Sequence, residues 1–109
     1  MNLPQGVTKL TTKEWDSKST SHYVGLFMFV MPGHDRIHIR VTISRDSYDF
    51  QSYAIAEALN EDSRQWNPIA YIPYPLMSST RVMRVNEWSL SGHKADIEVL
   101  LHEVVMLFG

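Results

Sequence analysis

Histidines, arginines and aromatic rings are the residues of this chain with most to offer chemically, and their spacing decides what they can do. His34 and His38 stand four apart, so an extended chain sets both on one side, as a pair of metal ligands requires. Arg36 falls between them on that same side, a cation where a further donor is needed, and neither a cysteine nor a nearby carboxylate completes a tetrahedral set. These read as surface histidines, with no metal and no cofactor expected. His102-Glu103 lacks the second histidine of a zinc-protease helix, and no Gly-x-Ser-x-Gly elbow frames a serine nucleophile. No glycine-rich phosphate loop is present either. Acidic pairs such as Asp46 with Asp49, or Asp96 with Glu98, fall where turn and helix capping account for them. A small enzyme with His34 or His38 as general base or ligand is the weakest of three functional readings.

Two constellations favour binding over catalysis. The first is Arg36, His38 and Arg40 on the outward side of one strand, with Arg45 just beyond and Tyr48 and Tyr53 following. Cations that track phosphates beside rings that stack on bases are the means of sequence-tolerant single-strand binding, so nucleic acid is the alternative partner. A solvated face with arginines paired to carboxylates explains the same residues. The second is the run from Trp66 to Pro75, in which Trp66, Ile69, Tyr71 and Tyr74 interleave with prolines on an expected sheet edge. Stiff aromatic anchors of this kind suit a protein partner.

The elements that must position these groups follow from hydrophobic periodicity. Residues 36–45 alternate strictly, Ile37, Ile39, Val41 and Ile43 inward and Arg36, His38, Arg40, Thr42 and Ser44 outward, which predicts a strand with one buried face. Residues 22–31 are apolar throughout, with Tyr23, Phe27, Phe29 and Met31 on one side and Val24, Leu26, Met28 and Val30 on the other. That pattern predicts a strand needing cover on both faces, a helix on one and a second layer or subunit on the other. Pro32-Gly33 turns these two strands into a hairpin. Residues 46–60 admit helix or strand and are taken as strand, because the polar loop 61–64 and the β-rich run 66–72 complete a second hairpin. Pro68, Pro73 and Pro75 place the return strand at an edge. Residues 80–88 suggest a fifth strand.

Residues 1–21, rich in Thr, Ser and Lys, read as an N-terminal arm with a helical turn over 12–17 that docks through Trp15; residues 22–109 form the domain. At the other end Ile97, Leu100, Leu101, Val104, Val105 and Phe108 recur at helical spacing. The expected fold is therefore α+β, an antiparallel sheet of four to five strands in two hairpins with a C-terminal amphipathic helix on one face. Leu101, Val104, Val105 and Phe108 are the residues expected at an oligomer interface, since the chain carries more apolar surface than one sheet face covers.

Composition sets the outer bounds. With 109 residues, 44% apolar and 20% charged, the chain fits one globular domain and is neither disordered nor fibrous. A net charge of −2 gives no global attraction to nucleic acid or anionic lipid. The absence of cysteine excludes disulfides and thiol chemistry and suits the cytoplasm. No secretion signal or membrane span is expected, because the longest apolar run, Tyr23 to Met31, is too short to cross a bilayer. The expectation is a non-enzymatic binding module that acts as a homo-oligomer on a protein partner, away from membranes.

Overall fold

A computed structural model of the chain describes residues 2–17, 20–31, 33, 35–46, 52–73 and 90–108. Five strands, β1 (Val7–Ser17), β2 (Thr20–Phe29), β3 (Ile37–Asp46), β4 (Tyr53–Asn60) and β5 (Gln65–Ile72), precede one helix, α1 (Leu90–Phe108). Each strand pairs antiparallel with its neighbour in sequence, so the sheet is a meander in the order β1-β2-β3-β4-β5 with α1 on one face. This is the α+β architecture expected, with a different first strand. The suggested strand at 80–88 lies outside the described residues, as do His34, Tyr48 and Tyr74.

The inward residues of β3 behave as their alternation requires: Ile39, Val41 and Ile43 are fully buried. On β4 the same face carries Ala54 and Ala56, also fully buried, opposite Val41 and Ile43 in register. Small side chains there let a helix lie close over the strand, which explains why an alanine-rich segment adopts β structure: tertiary packing overrides local propensity. Ile97, Leu100, Leu101 and Val104 of α1 fill that space, and Val105 and Phe108 pack half-buried against the same core.

Leu101 and Val104 are therefore not available to a second subunit. The expectation that the helix stripe forms the oligomer interface is corrected for these two residues, because the stripe is already covered by the chain's own sheet.

The N-terminal arm is corrected too. Residues 7–17 form an eleven-residue edge strand paired along β2, with an irregularity between Lys9 and Thr11, and not a helical turn. Thr and Lys suit a strand with one unpaired side, and the ladder with β2 outweighs a local capping signal of about 1 kcal/mol. Trp15 stacks on His22 with ring centroids 4.9 Å apart. β5 forms the opposite edge, where Pro68 is tolerated.

Gly25 of β2 shows how tightly the helix-side face is filled. A β-carbon there would lie 2.8 Å from the Phe27 ring and would overlap the Tyr23 hydroxyl, because the Tyr23 ring lies across the glycine. Gly25→Ala is expected to cost at least about 1 kcal/mol through overpacking, measured as a lower urea midpoint at unchanged slope. An unchanged midpoint would show that Tyr23 can swing aside freely.

Candidate functional site

Three groups of residues have the chemistry or exposure for function. The first is buried. Ser21 on β2 and Arg45 on β3 face each other across the ladder, and His93 and Asp96 stand three apart on α1, so both pairs share the helix–sheet interface. Ser21 Oγ and His93 Nε2 are hydrogen-bonded at 3.0 Å, and Arg45 is paired with Asp96. All four are buried, with Arg45 fully so. The Tyr23 ring stacks near His93 at 6.0 Å, and neither its hydroxyl nor His93 Nδ1 has a hydrogen-bond partner among the described residues. Burial, then the charge of Arg45, pushes His93 down to about 4, while burial, with Glu14 nearby, pushes the Tyr23 phenol above its ordinary value.

Sequence reasoning missed this cluster, although two signals were present. Continuing the inward alternation of β3 past Ile43 lands on Arg45, and continuing the helix stripe back from Ile97 and Leu100 lands on Asp96 and His93. Arg45 thus lies on the opposite face from Arg40 and is no part of a basic outward surface. Its expected role beside nucleic acid is corrected by complete burial against the helix.

The second group is the sheet face away from α1. His38 and Arg40 lie on it, with Val24, Leu26 and Met28 of β2, Tyr53 and Ile55 of β4, and Trp66 and Tyr71 of β5, as the strand registers place them. Arg36, just before β3, is exposed. Two of the charges here are paired within the chain: Arg40 Nη2 lies 2.9 Å from Glu57 Oε1, Arg40 Nε donates to that oxygen at 3.0 Å, and His38 Nδ1 is 3.1 Å from Glu61. The rings are engaged as well, Trp66 by the Arg40 guanidinium at 4.7 Å and Trp15 by Lys13 at 5.2 Å.

The third group joins the β5 edge to the end of α1. Ile69, Ala70, Tyr71, Glu103, Met106 and Leu107 line a shallow groove of about 520 Å³. Of the residues expected to meet a partner, Ile69 and Tyr71 come together here, whereas Trp66 lies on the open sheet face beside Leu59. On the helix side Met106 and Leu107 belong to the surplus apolar surface of the helix end and lie off its buried stripe. They are 81% and 63% exposed.

These features define an α+β domain in which, among the described residues, a helix packs on one sheet face. No family model, curated protein or solved structure matches the chain. Among the described residues no group of three or more His, Cys, Asp or Glu is arranged to hold a metal ion, and no helix is long and apolar enough to cross a membrane.

Proposed function

We propose that this chain is a small non-enzymatic binding module that acts as a homo-oligomer on a protein partner. The observation that carries the reading is the groove of Ile69, Tyr71, Met106 and Leu107, whose helix side is two adjacent apolar residues left in solvent. Folding of the chain gives no reason for that exposure, and Met beside Tyr is the composition of adaptable protein interfaces. The groove is shallow and lies against an edge strand, so it suits a ridge of apolar side chains better than a small molecule, which needs enclosure.

Two observations weigh against the other readings. Ser21 and His93 combine a hydroxyl with an imidazole, yet both are buried, and an imidazole held near 4 is a poor proton acceptor at neutral pH. For nucleic acid, Arg45 is withdrawn into the core, Arg40 is held by Glu57, and two of the aromatic rings already carry the chain's own cations.

The test places a photo-crosslinker at Glu103, the exposed helix residue of the groove, identifies what it captures in host extract, and titrates that purified protein against the chain and a Met106→Asp/Leu107→Asp variant. Both helix positions are exposed, so the double substitution should leave the fold intact. The expected result is one captured protein whose affinity falls at least about tenfold in the variant. Nuclease-sensitive capture, or affinity indifferent to the double substitution, would remove the support for this reading.

A further inference from the structure

The element that packs across the sheet among the described residues is α1, and it covers one face only. On the other face β2 presents Val24, Leu26 and Met28, an apolar stripe on one side of Arg40 and Thr42 of the central strand, and β4 presents Ile55 and Glu57 on the other. From this arrangement we infer that the open face is the contact between two copies of the chain, packed sheet to sheet about a two-fold axis. The inference rests on the homo-oligomeric part of the function proposed above and names the surface responsible.

Size is the first argument for a second copy. Five strands spaced about 4.8 Å apart and roughly 25 Å long give a face of roughly 600 Å², so two copies together bury roughly 1,200 Å², at the lower limit of stable specific interfaces. Stacked antiparallel sheets are also an established way to hide a second apolar face. Against a copy, the half-buried Val24, Leu26, Met28 and Ile55 lose their remaining contact with water.

Charge is the second argument, and it selects this chain over another partner. A two-fold contact sets a surface against itself, so an unbalanced face repels its own copy. At the middle of the face Arg40 is matched by Glu57 and His38 by Glu61 within the chain, while Lys13 stands on the edge strand β1 at the rim of the contact. The Arg40–Glu57 pair lies across the sheet from β3 to β4 and is partly exposed, 34% and 17% at the two side chains. A two-fold axis parallel to the strands reverses a dipole that points across them, bringing Arg40 of one chain toward Glu57 of the other. A polyanion would instead have to displace Glu57 from the most central cation of the face.

Sedimentation equilibrium of the full chain over the micromolar range, with charge variants, tests the inference. The wild type sediments as a dimer. Arg40→Glu and Glu57→Arg each become monomeric, with the dimer dissociation constant raised at least about tenfold, and mixing the two variants restores a dimer because opposite charges now face each other between chains. An ion pair acting only within the chain gives no such rescue. The chain has no cysteine, so Thr42→Cys adds a single thiol at the centre of the face and Glu103→Cys a control on the helix. A short bis-maleimide joins two Thr42→Cys chains much faster than two Glu103→Cys chains, a comparison that holds even if the charge variants fail to fold. A monomeric wild type, absence of rescue between folded variants, or equal crosslinking at both thiols overturns the proposal. The Met106→Asp/Leu107→Asp variant remains dimeric, so failure of partner binding and failure of dimerisation are read separately.

Discussion

Asp96→Ala will lower the free energy of unfolding by about 3–5 kcal/mol, the cost of removing one member of a buried ion pair. Asp96 is 2% exposed and Arg45 is fully buried, and the pair ties α1 to the central strand β3. Burial pushes Arg45 below its ordinary value while the charge and hydrogen bond of Asp96 pull it back up, so the carboxylate is what makes a guanidinium tolerable at that depth. Taking it away removes the carboxylate that pulls the buried cation back toward its charged form in the helix–sheet interface. A domain of ordinary size has about 5–15 kcal/mol in all, so the loss is a large share of the total. The comparison that identifies the mechanism is Arg45→Met/Asp96→Leu, which removes both charges, keeps approximate volume, and is expected to recover most of the lost stability. Urea unfolding followed by circular dichroism measures all three proteins. His38→Ala supplies the contrast: its pair with Glu61 is exposed in the single chain, and at concentrations where the chain is monomeric its removal should change stability by less than about 0.5 kcal/mol. Equal effects at the buried and exposed pairs would mean that the Arg45 site opens to water.

Periodicity made most of this fold legible. The strict alternation of residues 36–45 marks β3, the doubly apolar run 22–31 marks β2, and the recurrence from Ile97 to Phe108 marks α1. What periodicity could not reveal was β1. Its sequence from Val7 to Ser17 contains few apolar residues, because an edge strand paired on one side leaves most of its side chains in solvent, and such a segment looks like a polar arm until its ladder partner is known. The candidate site was less legible for a related reason. Arg45, His93 and Asp96 obey the strand and helix periods, but as polar residues they break the hydrophobic pattern by which inward positions are recognised. Burial of such groups depends on their meeting one another, and the meeting joins residues far apart in sequence. The groove has the same character: Tyr71 stood out as an aromatic on an edge, while Met106 and Leu107 gained significance only when the helix end was placed beside it.

Lowering the pH from about 6.5 to about 4 will remove about 3 kcal/mol of stability through His93 alone, the second large effect expected of this protein. The sign follows from which state holds the proton. Unfolded, the imidazole titrates at its ordinary 6.5; folded, burial first, then Arg45 and more weakly His22, press it down to about 4, against an opposing pull from Asp16. Between those values the unfolded chain binds a proton that the folded chain refuses, so acid favours unfolding. Above about 6.5 neither state is protonated and the folded chain keeps its full stability; well below 4 both are protonated and no further loss accrues. Carboxylates begin to titrate near the lower limit, so the His93 contribution has to be isolated by a variant. His93→Gln retains a side chain able to hydrogen-bond Ser21 but cannot take up a proton, and the difference between its stability and that of the wild type should shrink by about 3 kcal/mol as the pH falls through this window. The imidazole resonances provide an independent reading, with the His93 ring remaining neutral at pH 5. Were His93 instead to titrate near 6.5, or were both proteins to lose stability in parallel, water would have to reach the ring, and the buried cluster that holds the first half of α1 against β2 and β3 would be an open site.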